Sequence, residues 1–191
     1  MDIPAIVSST LLLLAIIDPF ITLAALMTIY HEKGLHIPKT VTQACLIAGI
    51  LMLVFLFLGE SILTFFRISL DAFKIGGAIV LLLLGVQTVL GIEWGTHHQR
   101  SAIAVVIATP LITGPGVATT LIILRHDYGL IVPLIAAAIA LAITWAFLMI
   151  GNKIHKKLGD QFILVFSRIV GLFLVSYAMQ IGFEGIKGIM S

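Results

Sequence analysis

Asp18-Pro19-Phe20 and Thr113-Gly114-Pro115-Gly116 interrupt two long apolar runs, one in each half of a 191-residue chain. Proline has no N–H and suits the first turn of a helix. It also pushes the residue ahead of it away from helical dihedrals. Asp18 is a strong helix N-cap type, and Gly114 is free to adopt unusual dihedrals. Each stretch therefore reads as the end of one half-helix and the start of another. Thr109-Pro110 loosens the helix ahead of the second stretch in the same way. In lipid, the backbone groups freed by such a break must be buried in protein or line a cavity. Two breaks in corresponding places of two halves are the sequence pointer to a transporter built on an inverted repeat.

Composition sets the solvent. The chain is 60 % hydrophobic and 10 % charged, against roughly 25 % charged in soluble domains. Its mean hydropathy is +1.19. This is the composition of an integral membrane protein with no separate soluble domain. The net charge is +2 and the basic residues are scattered, which speaks against nucleic acid as a partner. The single cysteine, Cys45, lies in an apolar run and reads as a buried inert thiol. Met1-Asp2 carries no basic stretch, so the first apolar run is expected to stay as a span.

A span needs about 20 apolar residues, and six candidates fit. They are Ile3 to Tyr30, Thr40 to Gly59, Ile75 to Ile92, Ser101 to Leu124, Tyr128 to Asn152 and Phe162 to Phe183. The predicted fold is all-α and polytopic. It is one membrane domain of six helices arranged as a 3+3 inverted repeat (about 1–95 and 96–191), with helices one and four broken near mid-membrane. Three spans per half make any repeat inverted, because span four enters opposite to span one. Lys74-Ile75-Gly76-Gly77 and Arg168-Ile169-Val170-Gly171 open spans three and six alike. Lys33, Lys39, Arg100, Lys153, Lys156 and Lys157 lie on one side, and Arg67, Lys74, Arg125 and Lys187 on the other. The positive-inside rule then places both termini outside a multi-pass protein of the cell (inner) membrane.

At the breaks, unpaired N–H groups and positive dipole ends should face the interior, which suits a carboxylate. Asp18 is the only acid deep in a span, and such acids are usually functional. Three roles stay open for it: a cap, a partner for an ammonium or cation, or a proton carrier. The candidate substrate-binding residues are Asp18, Pro19, Phe20, Thr22, Thr113, Gly114, Pro115, Gly116 and Thr119. Gln87, Tyr177 and Gln180 read as helix-to-helix contacts, and Lys74 and Arg168 as structural residues near span ends. His97-His98 and the His31 to His36 stretch lack metal-ligand spacing, so no metal and no cofactor is expected. No catalytic motif is present, and Asp18 has no second deep acid beside it, so an enzyme is not expected.

These features resemble the MarC/SnatA family of inner-membrane proteins: six short spans, Asp18-Pro19 in the first, and Pro110-Leu111-Ile112-Thr113-Gly114-Pro115-Gly116 in the fourth. The likeness covers essentially the whole chain. Ile21 departs from it, standing where the family has a glycine. The resemblance implies a carrier of small neutral amino acids such as glycine and alanine, driven by an ion gradient of sodium or protons. The small residues Ala24, Ala25, Gly116 and Ala118 fit a small side chain. The partners are then a small zwitterion and the lipid bilayer, with room left for a homo-oligomer. Rival readings are an exporter or channel for another small solute, and a non-transporting membrane scaffold.

Overall fold

The computed structural model describes residues 2–23, 26, 37–91 and 114–190, and these residues are helical apart from caps and turns. The first helix, α1, spans Ile3–Ile17; Asp2 caps it and Pro4 sits in its first turn. Residues 19–23 are helical again after Asp18. Then follow α2 (Ile37–Phe65), α3 (Leu70–Leu90), α4 (Pro115–Tyr128), α5 (Ile131–Met149) and α6 (Gly151–Met190). Gly159, at φ 73°, kinks α6 near its start.

Four of the described helices are long and apolar enough to cross a membrane: 38–65 within α2, all of α3 and α5, and 161–190 within α6. The helices differ from the sequence expectation mostly at their ends. Span two runs on to Phe65, because Glu60 finds an ion partner in Arg125 at 3.5 Å. Span three opens at Leu70 rather than Ile75, since the Ser69 side chain accepts from Ala72 N–H. Span five opens at Ile131 instead of Tyr128, after the left-handed Gly129. The basic stretch 153–157, read as a loop, is helical and belongs to the start of α6. Most of the expected fourth span, including Thr109-Pro110 and Thr113, lies outside the described residues, as do the His31–His36 and His97-His98 stretches.

Directions follow from the packing. Ala5 and Ile6 at the start of α1 cluster with Val132 at the start of α5, and Phe20 meets Phe147 further along, so α1 and α5 run parallel. Helices α3 and α6 run antiparallel in close contact: Gly85 faces Val175, Gly171 faces Thr88, and Gly185 faces Asp71. Glycine at these points lets the two backbones approach, which is how membrane helices gain contact without a hydrophobic drive. Helices α2 and α5 are also antiparallel, with Trp145 Nε1 donating to Thr42 Oγ1 at 3.2 Å and Leu141 against Gly49. These pairings gather the start of α1, the α2–α3 turn, the α4–α5 turn and the end of α6 at one face of the bundle.

The core sits where α1 and α4 meet the other helices. Leu13, Ile17, Leu23, Met52, Leu56, Val117, Leu121, Ala140 and Leu148 form its main cluster. Residues 116–124 of α4 are buried on every side, as befits a helix apolar all round. With 14 residues, α4 is about 21 Å long at 1.5 Å per residue. The 15 residues of α1 span about 22 Å. Both reach inward from the same face, so Asp18 and Gly114 lie at similar depth.

Candidate functional site

Asp18 is the pivot of the site. It ends α1 in the left-handed conformation, at φ 41° and ψ 77°, a region that short polar side chains tolerate best among non-glycine residues. Its Oδ1 accepts from the N–H groups of Phe20 and Ile21, both at 3.2 Å. With Pro19 as the first helical position those are the second and third, so Asp18 caps the following helical segment. Its Oδ2 accepts from the Ser167 hydroxyl on α6. Both carboxylate oxygens are therefore engaged, and the side chain is buried with Ser167.

The cap has a second effect, on the helix behind it. An α-helix carbonyl accepts from the N–H four residues on. For Ala15 that position is Pro19, which has no N–H. For Ile16 and Ile17 it is Phe20 and Ile21, whose N–H groups go to Asp18 Oδ1. The last turn of α1 thus loses three backbone donors at once. Thr22 compensates in part: its hydroxyl donates to the Ile17 carbonyl at 3.4 Å and to the Asp18 carbonyl at 3.1 Å. The negative end of the α1 dipole and a carboxylate are left together in the interior.

The second interruption supplies the opposite polarity. Gly114 is the N-cap of α4 and Pro115 its first residue, with no side-chain cap. The first backbone bond of α4 is Ala118 N–H to the Gly114 carbonyl, at 3.2 Å. The N–H groups of Gly116 and Val117 fall ahead of it, without a helical acceptor. Gly116 is pressed between Ile16, Leu81 and Leu84: a Cβ placed there would lie 3.2 Å from Ile16 and 2.8 Å from Leu81. The carbonyl end of α1 and the amide end of α4 therefore abut.

The remaining candidates fall into packing roles. Phe20 lies against Phe147, centroids 4.9 Å apart, and against Phe166 at 4.6 Å. The Thr119 methyl fills the space above Gly77. Pro19 is buried, while Pro115 is exposed. Thr113 is outside the described residues. Gln180 bonds Glu184 on its own helix at 3.1 Å. Lys74 reaches Glu184 at 3.7 Å, a structural pairing.

A family model described as MarC family integral membrane protein matches residues 3–190. The chain belongs to the MarC family. Among its MarC relatives, a membrane protein of Pyrococcus horikoshii named UPF0056 is 34 % identical, over 97 % of this chain and 95 % of its own. A UPF0056 membrane protein of Buchnera aphidicola subsp. Schizaphis graminum is 32 % identical, over 95 % and 96 %. The inner membrane protein YhgN of Escherichia coli K12 is 31 % identical over the same shares. No solved structure matches. This MarC chain is thus an integral membrane protein, and the match spans both interruptions.

One site residue of this MarC chain escaped the sequence reading. Ser167 sits 149 positions from Asp18, in a helix whose polar residues looked incidental. Its only local sign is a hydroxyl beside the Phe166 that packs on Phe20, and pairing across such a distance has no periodicity to betray it.

Proposed function

We propose that this MarC protein is a secondary transporter of small neutral amino acids, glycine and alanine first, working by alternating access. The abutment of the donor-poor carbonyl end of α1 with the amide end of α4, whose N-cap Gly114 makes no side-chain cap, carries this reading. A zwitterion needs both polarities a few ångströms apart. Its ammonium suits the Ala15 and Ile16 carbonyls and Asp18; its carboxylate suits the Gly116 and Val117 N–H groups. Gly116 and Ala118 keep the side-chain space small.

The packing supports an inverted 3+3 repeat with spans one and four discontinuous. Under that scheme α2 corresponds to α5 and α3 to α6, and each helix runs antiparallel to its counterpart. Rocking of one half against the other around the fixed breaks would expose the site alternately.

The test is counterflow in proteoliposomes. Purified protein should exchange labelled glycine or alanine saturably. Flux without saturation or exchange would point to a channel instead. No flux, together with no thermal protection by either amino acid, would refute the proposal. Imposing sodium and proton gradients in turn reads the coupling ion.

A further inference from the structure

Asp18 divides its labour between its two oxygens. Oδ1 is committed to two N–H groups of its own chain, which hold the turn together. Among the described residues, Oδ2 meets a single hydroxyl, that of Ser167, delivered from α6. Only Oδ2 can therefore change partner without unmaking the cap. Its present partner is an uncharged hydroxyl, whereas an ammonium brings a full charge of the opposite sign to the carboxylate. Arg168, one residue on, would lock the carboxylate if it stood in that place. It is exposed instead, with its guanidinium beside Gly91 at the end of α3.

We infer that Ser167 sets the affinity of this site: its hydroxyl and a ligand's ammonium compete for Asp18 Oδ2. This rests on the transport reading above and names the ligand group and the residue it replaces. An ammonium brings three donors. Oδ2 and the carbonyls of Ala15 and Ile16, which lack their helical donors, supply three acceptors in one turn of chain. Phe166 and Ser167 together dock residues 18–20 on α6, through the ring of Phe20 and the carboxylate of Asp18. Exchange at Oδ2 would therefore also loosen the hold of α6 on the break. Ser167 acts as a positioning residue in that sense, through Asp18.

The experiment measures binding of glycine, methylammonium and acetate to purified full-length protein, as wild type and as Ser167→Ala, Ser167→Cys and Ser167→Thr. Removing the competing hydroxyl leaves a buried acceptor unsatisfied until an amine arrives. Ser167→Ala should thus bind glycine and methylammonium roughly tenfold more tightly, the lower part of what one such acceptor supplies, with acetate unchanged. Ser167→Thr keeps the hydroxyl and should behave as wild type. Ser167→Cys, a weak donor of similar size, should fall between and serves if the alanine variant does not fold. Equal shifts for amine and acetate, or no shift for either amine, would overturn the inference while leaving glycine transport intact. Methylammonium binding that tightens in Ser167→Ala, with no glycine binding at all, would sink the amino acid reading and keep the seat. Failure of methylammonium to bind any of the four proteins would overturn the seat itself.

Discussion

Asp18 ends one helix and begins the next, and both tasks suit a short side chain with an acceptor oxygen. Asn shares those properties and is as good an N-cap, whereas Ala has no acceptor to offer. Losing the cap costs about 0.5–2 kcal/mol. A hydrogen bond between membrane helices averages about 0.6 kcal/mol, so the cap outweighs the Ser167 contact. Asp18→Ala should therefore lower stability by about 1–2 kcal/mol, read as the unfolding midpoint in detergent. Asp18→Asn should stay within about 1 kcal/mol of wild type, because it loses chiefly the charge at the Ser167 contact, yet lose most glycine uptake. If Asp18→Asn unfolds like Asp18→Ala, the carboxylate serves structure beyond its cap. The capping role was legible from Asp-Pro alone, since both residues act on their own backbone. Position alone makes Thr22 a candidate ligand residue; the structure turns its hydroxyl back to the carbonyls of residues 17 and 18. Local hydroxyl bonds of this kind compete with any ligand, and nothing in spacing reveals which wins.

Elements in this bundle meet through small residues, and neighbouring glycines differ sharply in what they tolerate. Gly76 has open space where a Cβ would go, while Gly77 has the Thr119 side chain there. Gly76→Ala should be neutral or stabilising by up to about 1 kcal/mol, from helix propensity. Gly77→Ala should cost about 1–3 kcal/mol by overpacking, and Thr119→Ser, which removes the obstructing methyl, should recover most of it. A thermal melt of the three variants decides, and equal behaviour of Gly76→Ala and Gly77→Ala would contradict the α3–α4 contact. Gly171→Ala would set a methyl 3.0 Å from the Val89 nitrogen. Backbone cannot rotate away as a side chain can, so α3 and α6 must part, at about 1–3 kcal/mol. The glycines were visible as packing sites in the sequence; which of two adjacent ones bears the load was not, because that depends on the helix facing it.

Across the described residues, the pairings put the start of α1, the end of α6, the turn at 66–69 and the turn at 129–130 on one face, with Gly91 and Gly151 toward the other. Single cysteines introduced at Arg67 and Gly129 in a Cys45→Ala background should label from one side of sealed vesicles, and one at Gly151 from the opposite side. From the lysine and arginine bias the first side is expected to be the outside; labelling of all three from one side would break the arrangement. Membrane class, an all-helical fold and the Asp18 cap came from the sequence by itself; of the six spans it leads one to expect, the described residues show four helices long and apolar enough to cross. Apolar length, proline and an N-cap residue act over a few neighbouring positions, and the absence of water enforces their consequences. Tertiary structure alone decided that Ser167 donates to Asp18, that Phe20 packs between Phe147 and Phe166, and that Ile16 rests on Gly116. Those are contacts between residues up to 149 positions apart, set by how helices stack, and helix periodicity carries no record of which face meets which.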